Sequence, residues 1–193
     1  MNFNFLGQAG SDLDGNSVSA TSLTVDGITL TLNAGVVVDG SAGVFNQTAD
    51  NFGINANETG DETDAIDGAL GFESIVFSVT SSVALSSLTL DAFNFDRITP
   101  DTTSDGVDAG SLVFTGGSTL NFSSGTVSGS DVLTVGESIT TGQQFTLSHV
   151  AGNGFGLEDV TFTAVAVPEP SSIVFLGLAG SYFVVRRRRR SNR

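Results

Sequence analysis

Apolar and polar residues alternate in short runs along most of the chain, and Gly, Asp and Ser separate the runs. The clearest example is SLTVDGITLTLNA, where the alternation runs up to Asp26-Gly27 and resumes after it. An Asp-Gly pair between two runs of period 2 is typical of a hairpin, because a type I′ turn needs positive φ at both central residues. We therefore predict a β-hairpin centred on Asp26 and Gly27.

Further alternating runs predict an all-β fold. ESIVFSV and VALSSLTLDAF, joined at Ser81-Ser82, predict a second pair of strands, whereas the acidic DETDAIDGA predicts at most a short helical turn over 62–69. Short strands spaced in this way indicate an antiparallel β-sandwich, jelly-roll-like, with the 15 phenylalanines supplying its core. The remaining predicted strands are 112–114, 118–122, 126–128, 132–135, 144–150 and 157–165, and the last of these should turn Val160, Phe162 and Ala164 to one face.

Charge divides the 193 residues into two unequal parts. Residues 1–167 carry 20 acids and the single arginine Arg97, a net charge of −19, whereas six of the seven basic residues lie in the last eight positions. An acidic body of this kind repels phosphate backbones, so nucleic acid is excluded as a partner. An asymmetry this sharp predicts two segments with different roles.

The sequence contains no convincing set of catalytic residues. There is no cysteine, and the single histidine, His149, lies in a strand-like segment where a structural or surface role is more common than general-base catalysis. A pair of carboxylates acting on a glycoside stays open, but the absence of tryptophan and the single tyrosine, Tyr182, remove the usual platform for a sugar ring. We expect a protein that is not an enzyme.

The C-terminal tail, AVPEPSSIVFLGLAGSYFVVRRRRRSNR, has three parts in a fixed order. Two prolines enclose Glu169 and favour extended backbone, and the uncharged segment 171–185 follows. A helix of this length spans roughly 22 Å, short of a hydrocarbon core of about 30 Å, but the arginines after it can snorkel to the headgroups and hold the charged end in the cytoplasm. The tail therefore predicts one transmembrane helix, with the acidic body outside the cytoplasm.

These three parts together resemble the PEP-CTERM protein-sorting segment of Gram-negative bacteria, a tail that also goes under the name ice-binding protein C-terminal domain without implying ice binding. The resemblance implies a transient inner-membrane anchor at 173–185, processing by an exosortase-type enzyme, and release to the cell surface or the extracellular matrix. The implied sorting motif is Val167, Pro168, Glu169 and Pro170, and the implied cytoplasmic stop is Arg186, Arg187, Arg188, Arg189 and Arg190.

The N-terminal segment MNFNFLGQAGSDLDG contains neither a basic region nor an apolar region of the kind found in export leaders. Proteins with such a tail are expected to carry a leader, and FNFLG already reads as the first strand of a domain. We therefore expect the natural start to lie upstream of Met1.

Acidic loops favour Ca²⁺ over other metals, because carboxylate and carbonyl oxygens are the ligands that this ion prefers. Asp64, Asp67 and Glu73 belong to one acidic stretch, and Asp159 opens a final strand, GFGLEDVTFTAV, that is similar to the closing strand of carbohydrate-binding jelly rolls with a structural Ca²⁺. We predict a Ca²⁺ site from these four residues, and the alternative of solvated acidic loops stays open.

The sequence thus predicts an acidic β-sandwich over residues 1–166 and a sorting segment over 167–193. The expected role is a non-catalytic, structural or adhesive protein of the envelope or extracellular matrix. The alternative is a carbohydrate-binding module for a surface exopolysaccharide, dependent or not on Ca²⁺.

Overall fold

The computed structural model describes residues 1–7, 18–35, 43–49, 51–55, 65–68, 73–96, 107–123 and 131–167. These residues form β-strands and the turns between them, and no helix occurs among them. The prediction of an all-β fold is therefore confirmed. The strands are β1 (Asn2–Asn4), β2 (Ala20–Val25), β3 (Ile28–Gly35), β4 (Val44–Gln47), β5 (Phe52–Asn55), β6 (Ser74–Ser81), β7 (Leu85–Asp96), β8 (Ala109–Phe114), β9 (Thr119–Ser123), β10 (Val132–Ser138), β11 (Gln144–Ala151) and β12 (Gly156–Ala166).

Two antiparallel six-stranded sheets pack against each other. In sheet A the strand order is β10-β7-β12-β5-β4, with β1 added beside β12, and in sheet B it is β2-β3-β6-β11-β8-β9. The last strand of the described residues, β12, lies in the middle of sheet A, where β7 pairs with it along its whole length. The chain crosses between the sheets repeatedly, so strands distant in sequence become neighbours.

The hairpin predicted at Asp26-Gly27 is confirmed. Strands β2 and β3 pair in register up to Val25 opposite Ile28, and the two residues between them have φ values of 50° and 78°. Glycine adopts positive φ without strain and Asp tolerates it better than most residues, so the dipeptide fits a type I′ turn. The alternation on either side then sends Leu30 and Leu32 into the core.

The second predicted pair is wrong in its pairing, although both strands exist. Strand β6 belongs to sheet B and β7 to sheet A, so the connection after Ser81 carries the chain from one sheet to the other. The partners of β6 are β3 and β11 instead. Ser81 and Ser82 do not have the positive φ values that a tight hairpin turn needs, and Ser82 N–H donates to the carbonyl of Gly27 across sheet B.

Phenylalanine builds the core, as the sequence predicts. All twelve phenylalanines in the described residues are buried. Phe93 of sheet A lies at the centre, with ring centroids 5.8 Å from Phe77, 6.3 Å from Phe145 and 5.8 Å from Phe95. These contacts join the two sheets, since Phe77 and Phe145 belong to sheet B. Such aromatic pairs add stability beyond their buried area.

A β-bulge interrupts the pairing of β12 with β7 between Leu157 and Asp159. The extra residue shifts the alternation, so Leu157 and Val160 both face the core although they are three positions apart. From Val160 onward the predicted alternation holds: Val160 and Phe162 are buried and Ala164 packs against the core.

Some predictions fall outside the described residues or differ from them. The predicted strand 126–128 and the predicted transmembrane segment 173–185 lie outside them. Of the predicted helical turn over 62–69, the described part is not helical, because Ile66 forms a β-bridge with Phe155. Among the described residues, no helix has the length and apolar character needed to cross a membrane.

Candidate functional site

The buried polar residues of the described chain gather at one end of the sandwich, around the connection between β11 and β12. We call this group the polar end. Its members are Asn51, Asp67, Glu73, Asp108 and His149, each at most 5% exposed. Polar groups this deeply buried are costly unless they are hydrogen-bonded, so their partners decide what this end of the molecule can do.

The glycine-spaced segment GNGFG, residues 152–156, organises the polar end. A Cβ atom on its first glycine would lie 2.3 Å from Oδ1 of Asp108, one on the second 2.6 Å from Cβ of Asp67, and one on the third 2.2 Å from Oδ1 of Asn51. These distances leave no room for a side chain at any of the three positions. Glycine at every second position therefore lets one segment approach three buried polar residues from separate parts of the chain.

Asp67 and Glu73, two of the predicted Ca²⁺ ligands, hold each other in place. The backbone N–H of Asp67 donates to Oε2 of Glu73 at 2.9 Å, and the N–H of Glu73 donates to the carbonyl of Asp67 at 3.1 Å. The N–H of His149 in turn donates to the carbonyl of Glu73 at 3.0 Å. The Glu73 carboxylate thus holds Asp67, and the backbone carbonyl of Glu73 fastens the residues before β6 onto β11.

Asp108 and His149 fix the other side of the same connection. Oδ1 of Asp108 accepts a hydrogen bond from the N–H of Asn153 at 2.8 Å. Nε2 of His149 lies 3.1 Å from the carbonyl oxygen of Gly152, and since that oxygen can only accept, Nε2 carries the proton. His149 is thus a buried side chain that positions a loop, in agreement with the structural role expected for it.

Asp159, the fourth predicted ligand, lies elsewhere. It belongs to the bulge of β12, where Nδ2 of Asn94 donates to Oε2 of Glu158 at 2.6 Å and reaches Oδ2 of Asp159 at 3.4 Å. Asp67 packs against Gly154, five residues before Asp159 and roughly 15 Å away along extended chain. The structure therefore brings together Asp67 and Glu73 but not Asp159, and Asp64 lies outside the described residues.

Within the described ranges, no group of three or more His, Cys, Asp or Glu side chains is arranged to hold a metal ion. The Ca²⁺ site stays a prediction, and Asp67 with Glu73 is the part of it that the fold assembles. The chemistry visible at the polar end is positional, because its carboxylate oxygens accept hydrogen bonds from backbone N–H groups of neighbouring segments.

The sorting tail begins where the sandwich ends. The final strand closes at Ala166, which pairs with Leu85, and the N–H of Val167 still donates to the carbonyl of Ala84 at 2.9 Å. Val167 is the one residue of the predicted sorting motif that the structure describes; Pro168, Glu169, Pro170 and the arginines Arg186 to Arg190 lie outside the described residues. No separate linker element precedes the first residue of the motif, which is hydrogen-bonded to the body.

Comparison with known protein families identifies this tail. Residues 166–190 match the PEP-CTERM protein-sorting motif, which confirms the resemblance seen in the sequence. The match covers the tail and leaves the sandwich unassigned. No curated protein and no solved structure matches the chain.

Sequence reasoning missed Asn51 and Asp108, which contact the glycine-spaced segment from positions about 100 and 45 residues away in the chain. The spacing of glycines in GNGFG was a visible sign of close packing, but nothing local indicates which residues pack there. Those partners are set by the crossings between the two sheets.

Proposed function

We propose that the protein is an exported, non-catalytic component of the bacterial envelope or extracellular matrix, delivered through its PEP-CTERM tail. The observation that carries the proposal is the match of the sorting motif to residues 166–190, starting at the last residue of β12. A sorting element placed there can be recognised and cleaved while the strands before it stay folded.

Each part of the tail has its own role in this proposal. Pro168, Glu169 and Pro170 form the element that an exosortase-type enzyme recognises, and the apolar segment 173–185 forms the transient inner-membrane helix. The five arginines from Arg186 to Arg190 stay in the cytoplasm, as a cationic cluster after an apolar segment does. Cleavage then releases the acidic body to the cell surface or the surrounding matrix.

The body acts by binding or by assembly in this proposal, without catalysis. Its single histidine is 95% buried and bonded to a backbone carbonyl, and the buried carboxylates of Glu73 and Asp108 accept backbone hydrogen bonds. A general base needs to reach a substrate proton, and side chains enclosed in this way do not.

Cell fractionation of a Pro168→Ala/Pro170→Ala variant tests the sorting role. In a host that encodes the processing enzyme, we expect the wild type to appear in the medium or at the surface as a shortened form, and the variant to stay in the inner membrane at full length. Pro100→Ala serves as the matched control, because it removes the proline outside the motif. Mass spectrometry of the released form gives the cleavage position.

Release of the same shortened form from the wild type and the double variant would contradict the proposal. So would equal retention of the Pro100→Ala control, since that result would indicate a general folding defect rather than loss of a recognition element.

Calcium binding is a separate proposal and has its own measurement. Calorimetric titration of the protein with Ca²⁺ should release or absorb heat in the wild type and fail in Asp67→Asn, whereas Asp159→Asn should resemble the wild type because Asp159 lies apart from the polar end. Absence of both heat and a change in melting temperature in the wild type would end the Ca²⁺ hypothesis.

A further inference from the structure

We infer that the outer surface of sheet B binds a neutral polysaccharide. The inference deepens the role at the cell surface proposed above and rests on it for its biological setting. Five outward hydroxyl side chains on the four central strands form this surface, and we call it the hydroxyl face. Its residues are Thr31 on β3, Ser78 on β6, Thr146 and Ser148 on β11, and Ser111 on β8.

Alternation along the strands places these hydroxyls on one surface. On β11, for example, Phe145 and Leu147 are buried in the core, so Thr146 and Ser148 between and after them point outward. The strand register makes the hydroxyls neighbours. Thr31 lies opposite Ser78, and Ser148 lies opposite Ser111.

The pairing also sets the spacing and adds apolar groups. Neighbouring strands are about 4.8 Å apart, and outward residues on one strand repeat at roughly 6.8 Å. Thr146 lies between Val76 of β6 and Val113 of β8, which also face outward. The face therefore alternates hydroxyl groups with methyl groups on a scale of a few ångströms.

The five hydroxyls are available to a ligand. Within the described part of the chain, none of them takes part in a hydrogen bond with the protein, and none is a buried atom. Other hydroxyls of sheet B are used internally: Thr24 bonds Thr29 at 2.8 Å, and Ser74 donates to the carbonyl of Gly35 at 2.7 Å. The central hydroxyls thus meet solvent, at positions fixed by the sheet.

Charge selects the kind of partner. The strands of sheet B contain no Asp, Glu, Lys or Arg, although residues 1–167 carry a net charge of −19. The net negative charge of the body would repel a polyanion that approached this face, and two copies meeting face to face would bring two such charges together. A neutral partner avoids both costs.

A neutral polysaccharide satisfies the remaining requirements. Its hydroxyls donate and accept, as those of serine and threonine do, and the C–H surfaces of its rings can pack on the methyl groups of threonine and valine. The right-handed twist of a sheet rotates successive strands by about 20–25°, so a flexible chain follows the face better than a flat crystal lattice does.

Affinity electrophoresis of the full chain in mild detergent provides the test. Native gels are cast with dextran, pullulan, hydroxyethyl cellulose or galactomannan, all neutral, and with alginate as a polyanion. We expect at least one neutral polymer to retard the wild type in a concentration-dependent way and alginate to have no effect. No retardation by any of the neutral polymers, or retardation by alginate alone, would overturn the inference.

Three variants locate the binding. Thr31→Val/Thr146→Val removes two hydroxyls while keeping the shape, and Ser78→Asp places a charge between them. Each should weaken binding by roughly tenfold or more, because an unmet hydrogen bond or an unpaired charge beneath the polymer costs at least that much. Thr134→Asp, exposed on β10 of sheet A, is the matched control and should bind as the wild type does.

Two results would assign the face differently. Equal weakening by Thr134→Asp and Ser78→Asp would indicate a general charge effect, and the hydroxyl face would have no specific role. Concentration-dependent self-association in analytical ultracentrifugation, lost in Ser78→Asp, would show that a second copy occupies the face. Because binding is measured on purified protein, its failure leaves the fractionation test of the sorting tail unaffected.

Discussion

Sheets A and B share one hydrophobic core but differ in the charge of their outer surfaces. The strands of sheet A carry five acids, Asp91, Asp96, Glu137, Glu158 and Asp159, whereas those of sheet B carry no charged residue. The inward positions of both sheets obey the same rule, because each must bury apolar side chains against the other. The outer positions are free of that requirement, so the two outer surfaces can differ in charge.

Acidic side chains of sheet A are also hydrogen-bonded within the protein. Oδ2 of Asp91 accepts a hydrogen bond from the hydroxyl of Thr163 at 2.8 Å, and Glu158 shares Asn94 with Asp159. The central hydroxyls of sheet B have no such bonds. The outer acids of sheet A are therefore engaged within the protein, whereas the five hydroxyls of the hydroxyl face are not.

The largest effect should come from the core, where the two sheets ought to be indistinguishable. Phe93→Ala in sheet A and Phe77→Ala in sheet B should each lower the free energy of unfolding by about 3–5 kcal/mol, because both remove a fully buried ring from the same cluster. Urea denaturation followed by circular dichroism measures both. A loss confined to one variant would mean that the sheets unfold separately.

The polar end should give an intermediate effect, because it joins the sheets. Asp108 precedes β8 of sheet B and holds the N–H of Asn153, which precedes β12 of sheet A. Asp108→Ala removes the buried acceptor of this partly buried hydrogen bond and should cost about 1–3 kcal/mol in the free energy of unfolding. Ser86→Ala, an exposed position of β7 whose hydroxyl bonds Val165, should cost less than about 1 kcal/mol in the same urea experiment.

If Ser86→Ala lowers the free energy of unfolding as much as Asp108→Ala does, the polar end contributes no more to stability than an exposed hydrogen bond. Hydrogen exchange offers a second measurement: Asp108→Ala should speed exchange of the Asn153 amide, while the amides of β3 keep their protection.

The smallest effect concerns the charge on sheet A. Asp159→Asn removes one of two carboxylates that reach the same Asn94 amide, so repulsion between neighbouring acids falls. We expect a gain of roughly 0.3 kcal/mol in stability at low salt, seen as a melting temperature about 1 °C higher. The gain should disappear at about 1 M salt, where screening removes the repulsion. A gain that persists at high salt would have another cause.

Local patterns in the sequence predicted the features that depend only on residues close together in the chain. The Asp26-Gly27 turn follows from backbone preferences, and the inward set Val160 and Phe162 follows from alternation. Strands β4 and β5 escaped prediction because each has only four residues, too few for an alternating pattern to stand out. The predicted pairing of β6 with β7 was wrong because strand identity does not reveal which sheet a strand joins.

The same limit applies to the hydroxyl face and to the polar end. Thr31, Ser78, Thr146 and Ser111 are ordinary outward residues in the sequence, and they become one face only once β3, β6, β11 and β8 are known to be neighbours. Asp108 and Asn51 likewise join GNGFG through contacts distant in sequence. The sorting tail could be recognised directly because its meaning lies in the order of its residues and needs no tertiary partner.

The position of β12 gives the molecule a mechanical property. The tail follows this strand directly in the chain, so in the proposed membrane-anchored state a pull on the tail acts along β12. Because β12 lies inside sheet A and pairs with β7 from Gly156 to Ala166, such a load stretches its backbone hydrogen bonds together in shear instead of opening them one at a time. A tethered body built in this way resists extraction of its final strand, and the load spreads through the sheet to the shared phenylalanine core.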